Sequence, residues 1–101
     1  MKNEFDATGL IHELKHDWDD LIPEGVVLHE ISVMPGITIN NDRTRAKYIL
    51  SQLVSNAVKF TKKGVIVIGV QYHLNSDKAE LFVEDTGCGI PKEKQQLAFG
   101  L

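Results

Sequence analysis

Asp85 stands at the end of an apolar run and is followed by Gly87 and Gly89, within the stretch Glu80-Leu-Phe-Val-Glu-Asp-Thr-Gly-Cys-Gly-Ile-Pro91. Strand alternation puts Ala79, Leu81, Val83 and Asp85 on one face, so the carboxylate points where the apolar side chains point. A carboxylate is costly to bury unless something hydrogen-bonds it. The two glycines let backbone come close to whatever does so. A pocket for a flat, amine-bearing ring such as adenine fits that description.

A second set of polar groups lies upstream, on residues with helical spacing. With Asn56 as zero on a helical wheel, Gln52 falls at about −40° and Lys59 at about −60°, while Ile49, Phe60 and Leu53 fall at about +20° to +60°. Asn56 thus borders the apolar stripe, with an amide and an ammonium on its polar side. An amide oxygen is a neutral, hard ligand suited to Mg²⁺, which keeps few protein ligands beside phosphate and water oxygens. An ammonium suits phosphate as a point charge. Taken alone, Asn56 could cap a loop and Lys59 could be solvated; the aspartate–glycine loop downstream favours a binding edge.

The elements that must position these groups follow from periodicity. The spacing of Phe5, Leu10, Ile11, Leu14, Trp18 and Leu21 predicts a helix over 5–21, stopped by Pro23 and Gly25. Residues 25–33 read as a β-branched strand, Pro35-Gly36 as a turn and Ile37-Thr38-Ile39 as a short strand. Asn40, Asn41 and Asp42 offer N-caps for a long helix over 42–61, with the stripe Ala46, Ile49, Leu50, Leu53, Ala57 and Phe60. Residues 65–74 form a strand apolar on both faces, hence central, and 78–85 pair back on it as a hairpin. Pro91 is placed to open a last helix over 92–98. The order helix, strand, strand, helix, strand, strand, helix predicts an α+β fold: a two-layer sandwich, a mixed sheet with helices on one face.

Composition narrows the rest. The 101 residues suggest a single domain, and the formal charge of −3, without a Lys/Arg cluster, gives no support for nucleic-acid binding. A lone cysteine, Cys88, excludes an intrachain disulfide and points to a reducing, cytoplasmic setting. Between the glycines it reads as a small residue rather than a reactive thiol. No apolar run approaches the ~18 residues of a membrane span, and no signal peptide opens the chain. His29 and His73 lie in strands, His16 reads as solvated, and no His/Cys spacing matches zinc.

The two polar sets together resemble a known family. Leu53-Val-Ser-Asn56-Ala-Val-Lys59-Phe60-Thr61 is similar to the N box of sensor histidine kinases, and Asp85-Thr-Gly87-Cys-Gly89-Ile90-Pro91 to their first glycine box. Asn41-Asp42-Arg43-Thr-Arg45 and Leu97-Ala98-Phe99 fit the flanks. The resemblance covers residues 24–99, after an N-terminal packing helix in 1–22, and the whole of 1–101 reads as one ATP-binding domain. It implies the Bergerat ATP-binding fold with ATP and Mg²⁺ as ligands. Asn56 would coordinate Mg²⁺, Lys59 would contact the phosphates and Phe60 would border the pocket. Asp85 would accept the adenine amino group, Gly87 and Gly89 would let the loop pass the base, and Ile90 would wall it. No catalytic residue is implied on this chain itself: the γ-phosphoryl group would go to a histidine on a separate dimerisation domain, with a response regulator as further partner. The resemblance leaves open a membrane anchor elsewhere in the parent protein, but implies no membrane contact by these residues.

Three departures qualify the resemblance. Position 52 is Gln where the kinases usually carry Asn. The second glycine box and the lid are absent before the chain stops at Leu101, so the domain reads as C-terminally incomplete and its ATP affinity as weak. No dimerisation helices precede it; His12-Glu13-Leu14-Lys15 looks like the start of a phosphoacceptor box, but continues His16-Asp17 rather than with a Thr-Pro or Asn-Pro step, and reads as a packing helix. Two other readings remain. One is a hydrolysing ATPase of the gyrase or heat-shock chaperone type, which needs a glutamate where Gln52 stands, since an amide cannot take the proton from water. The other is a non-catalytic interaction module.

Overall fold

The computed structural model describes residues 3–32, 36–87 and 93–100. Eight elements follow in order: β1 (Asn3–Asp6), α1 (Ala7–Asp19), β2 (Val26–Ser32), β3 (Thr38–Asn41), α2 (Arg43–Phe60), β4 (Gly64–His73), β5 (Lys78–Gly87) and β6 (Glu93–Gly100). The main sheet has the order β2-β4-β5-β6, with β2 and β4 parallel and the other neighbours antiparallel. A small antiparallel pair, β1 and β3, sets Phe5 opposite Ile39. The expected α+β sandwich with a mixed sheet is the architecture observed. No helix among the described residues is long and apolar enough to cross a membrane.

The core lies between the helices and one face of the sheet. Leu10, Ile11 and Leu14 of α1 and Ala46, Leu50, Val54 and Ala57 of α2 pack with Leu28, Ile66, Ile68, Val70, Ala79, Leu81 and Val83. All the strand residues in that set share one parity within their strand, as a one-sided helical layer requires. α1 lies over β2 and β4, and α2 over β4 and β5. β4 is central, as its two-faced apolar run predicts. On its other face Gly69 leaves room for a ring: a Cβ there would sit 2.7 Å from Phe82 Cζ. Phe82, directly opposite Gly69, is buried by this close fit.

The structure corrects several sequence expectations. The predicted helix starts two residues later than expected, at Ala7, because the Asp6 Oδ1 accepts the Thr8 N–H at 3.2 Å and caps α1 at its N-terminus. Phe5 therefore belongs to β1, a strand that periodicity did not reveal, and β3 pairs with it. The helix stops at Asp19, so Leu21 is exposed rather than part of the stripe. On α2 the N-cap is Asp42, whose Oδ1 accepts the Arg45 N–H at 3.1 Å. Val54 rather than Phe60 completes its buried stripe.

The predicted last helix is also wrong: Glu93–Gly100 is strand β6, with Leu97 opposite Leu81 and Phe99 opposite Ala79. β5 is buried on both faces and would otherwise leave a row of unpaired backbone groups at its edge. Period-2 spacing of Leu97 and Phe99 suits pairing there, and the helix start offered by Pro91 loses to it. Pro35 of the predicted turn lies outside the described residues, as do Cys88, Gly89, Ile90 and Pro91 of the glycine loop.

Candidate functional site

Chain connectivity brings the two polar sets to one end of the domain. α2 ends at Phe60, and after three intervening residues β4 begins at Gly64. β4 starts opposite the end of β5: Gly64 faces Gly87 and Ile66 faces Asp85. Gly64 has φ +135°, a conformation open to glycine and strained for other residues, so the strand can start directly beneath the helix terminus. α2 packs across β5 itself. The last turns of α2 and the last residues of β5 thus flank one edge.

Asp85 follows Val83 on the helix-facing side of β5, and it is half-buried where Ala79, Leu81 and Val83 are buried. Its cross-strand neighbour Ile66 is fully buried. Among the described residues none hydrogen-bonds or pairs with its carboxylate. On its other side Asp85 stands opposite Glu93 of β6. A half-buried carboxylate beside the buried Ile66, without a partner among the described residues, is the arrangement that an amine-bearing ligand or an ordered water would satisfy.

On α2, Gln52, Asn56, Lys59 and Phe60 are all exposed. The buried stripe Ala46, Leu50, Val54 and Ala57 turns Asn56 further from the core than the wheel built on Phe60 predicts. Lys59 Nζ stands 5.7 Å from the centroid of the Phe60 ring, within cation–π range. The ring, itself 65% exposed, therefore helps hold the ammonium at the helix end. Lys59 also sits in the last turn, where the helix dipole favours a cation, so an ammonium at this position has a structural cause as well.

Thr61 adds a group whose role its residue type did not signal. It caps the C-terminus of α2, its N–H donating to the Ala57 carbonyl at 2.8 Å in extended conformation. The residue is 2% exposed, and its Oγ1 has no hydrogen-bond partner among the described residues. Buried hydroxyls are normally satisfied, so this one invites a water or ligand atom. Among the described residues no group of three or more His, Cys, Asp or Glu side chains could hold a metal ion. Any Mg²⁺ here would depend on an amide oxygen together with phosphate and water oxygens, a donor set that Asn56 fits. Gly87 closes β5, while Gly89 and Ile90, the remaining residues of the predicted site, lie outside the described residues.

Near the other end of α2, Arg43 and Lys47 are both paired with α1. Glu13 on α1 accepts from Arg43 and, at 2.6 Å, from Lys47, which reaches Asp17 at 2.9 Å. The Arg43 guanidinium, with Lys47 second, holds the Glu13 carboxyl down at about 2. Glu13, followed by Asp17, raises Lys47.

Comparison with known proteins agrees with this geometry. The family of histidine kinase-, DNA gyrase B- and HSP90-like ATPases matches residues 41–100. An aerobic respiration control sensor protein ArcB homolog from Haemophilus influenzae is 33% identical over 93% of this chain and 29% of its own length. The sensor histidine kinase Hik2 of Thermosynechococcus vestitus is 49% identical over 50% of this chain and 13% of its own. The chain spans less than a third of the length of these curated relatives. Among solved structures, the catalytic domain of histidine kinase ThkA aligns over 90% of this chain and 62% of its own, with TM-score 0.78 and 27% identity. Full-length ShkA in complex with AMPPNP aligns over 89% of this chain and 19% of its own, with TM-score 0.77 and 26% identity.

Proposed function

The chain belongs to the family of histidine kinase-, DNA gyrase B- and HSP90-like ATPases, and from that premise we propose that it binds Mg-ATP as the nucleotide-binding part of a sensor histidine kinase. The observation that carries the reading is the half-buried Asp85 at the end of β5, without a partner among the described residues and set against the fully buried Ile66. Its carboxylate would accept from the adenine amino group. The orphaned Thr61 hydroxyl supports a ligand or water at the same end of the domain. Gly87 and Gly89 would let backbone pass the base, Ile90 would wall it, and Phe60 would border it.

Asn56 and Gln52 on the exposed edge of α2 would face the phosphates, Asn56 as the amide ligand to Mg²⁺. Bound there, Mg²⁺ would neutralise phosphate charge. Lys59, steadied by the Phe60 ring, would bind phosphate as a point charge. Phosphoryl transfer needs chiefly positioning and charge neutralisation, so these residues would help orient the γ-phosphoryl group while another domain brings the histidine. A response regulator is the expected downstream partner; histidine kinase ThkA, a structural neighbour at 27% identity, has been solved in complex with the response regulator TrrA.

Hydrolysis by this domain is disfavoured by its own helix. α2, Arg43–Phe60, contains no Asp or Glu, and Gln52 has no basic atom to take a proton from water. The decisive test is calorimetric titration of Mg-ATP into Asp85→Asn. The carboxamide presents a donor to the adenine amino group at one of its two positions, and the expected loss is roughly ten- to a hundredfold in affinity with an unchanged melting curve. Parent-like affinity would remove Asp85 from the adenine site and the reading with it.

A further inference from the structure

The strand β2 ends the main sheet, with β4 as its sole neighbour among the described residues. Two hydrogen bonds fix which of its backbone groups face outward. The Gly64 N–H donates to the Gly25 carbonyl at 3.2 Å, and the Val26 N–H turns the other way, to the Pro23 carbonyl at 3.2 Å. Backbone direction alternates along a strand, so Val27, His29 and Ile31 bond toward β4, while Leu28 and Glu30 present their N–H and C=O groups to the free edge. On the face away from the helices, Val27 is 58% and Ile31 38% exposed, with exposed His29 between them.

This edge carries few of the usual safeguards against pairing. It has no proline and no lysine, and its one charge, Glu30, is already held by His12 Nδ1 at 2.9 Å. The strand is also complementary to itself. A two-fold axis at His29 sets Leu28 opposite Glu30 of a second copy, and Glu30 opposite Leu28, as hydrogen-bonded pairs using the outward groups. The same axis sets Val27 against Ile31 on both sides, covering the apolar side chains that are otherwise exposed. An axis at Leu28 would oppose Val27 to His29, and one at Glu30 would oppose Ile31 to His29. His29 is thus the only centre that matches the outward backbone groups and the apolar pair together. Two strands, β4 and β2, separate this axis from β5, so it leaves the nucleotide edge open.

We propose that this chain self-associates by antiparallel pairing of β2 with β2 of a second copy, about a two-fold axis at His29, so that one sheet runs through both molecules. The interface is strand-sized, and association is weak and concentration-dependent. In this register His29 meets its own copy as a non-hydrogen-bonded pair, with Cα atoms about 4.5 Å apart, within disulfide range. Val27 and its own copy are offset by four residues, roughly 13 Å.

The test uses sedimentation equilibrium of the chain across concentration, and single-cysteine variants in a Cys88→Ser background under mild oxidation. A monomer–dimer equilibrium is expected for the parent, and monomer alone for Val27→Lys with the parent's melting curve. His29→Cys is expected to form a disulfide dimer at least tenfold faster than Val27→Cys. A parent that stays monomeric at the highest attainable concentration overturns the proposal. A dimer that survives Val27→Lys, or cross-links equally well through position 27, overturns the register.

Discussion

The two ends of α2 treat their polar groups in opposite ways. Near its start Arg43 and Lys47 are each tied to Glu13, and Lys47 also to Asp17, so the charges on that seam answer one another across the two helices. Near its end Gln52 and Asn56 are exposed without a partner among the described residues, Lys59 leans on an aromatic ring, and the Thr61 hydroxyl is buried with none of the described residues to bond it. Asp85 across from it is half-buried and also lacks a partner among the described residues. One sequence has satisfied its polar groups where they fasten α1 to α2 and left them open where the helix meets the end of β5. Polar groups left open beside a core are costly, and a fold keeps them where a ligand completes them.

The comparison predicts that stability and binding can be separated by substitution. Leu50, fully buried midway along α2, belongs to neither end. Leu50→Ala should cost about 2–5 kcal/mol of unfolding free energy by chemical denaturation. Mg-ATP affinity, corrected for the folded fraction, should stay within about twofold of the parent. If affinity fell in step with stability, the open end would be an ordinary part of the fold. Asn56→Ala should do the reverse: the residue is exposed, so melting should move little, within ~0.5 kcal/mol. Mg-ATP affinity should drop by more than about tenfold, while binding in EDTA, already weak, should change little. Equal loss with and without Mg²⁺ would assign Asn56 to the nucleotide rather than to the metal.

Thr61→Val sharpens the contrast further. Valine keeps the shape and removes a hydroxyl that none of the described residues satisfies, so the melting temperature should hold or rise. If a ligand or its water completes that hydroxyl, ATP affinity should fall severalfold in the same variant. A variant with lowered stability and unchanged affinity would show that the hydroxyl serves the fold.

The same contrast explains what the sequence made legible. Asp85 was placed correctly by parity, because strand alternation is strict and one face of β5 is plainly apolar. α2 was recognised from its stripe, but Phe60 was counted within it; type alone does not distinguish a core aromatic from one left at a helix end, and Val54 fills the place instead. Thr61 was visible as the end of a box, yet nothing in a threonine announces that its hydroxyl lacks a partner. β1 and β6 were missed for a shared reason. Asn3–Asp6 is short and pairs with a strand 35 residues away, and Glu93–Gly100 takes its conformation from the open edge of β5. Both are set by partners distant in sequence, which local periodicity does not report. The seam of Glu13, Arg43 and Lys47 was likewise invisible until α1 and α2 lay side by side.

The closed end of α2 yields the smallest effect, and its sign follows from Glu13. Paired with Arg43 and Lys47, its carboxyl titrates at about 2 rather than the ordinary 4.5. A carboxyl depressed by folding contributes stability that is present above its unfolded value and is lost as pH falls through the folded one. The melting-temperature difference between the parent and Glu13→Gln should therefore be constant above about pH 5, shrink between about pH 4.5 and 2, and vanish below. The pair lies at the surface and is only half-buried, so the difference should be small and should shrink again in about 1 M salt. ATP affinity at neutral pH should not change, because the seam lies at the far end of the helix from Asn56. A difference that persisted at pH 2 would mean that the glutamate acts through packing of its stem, and an altered ATP affinity would mean that the two ends of α2 are coupled.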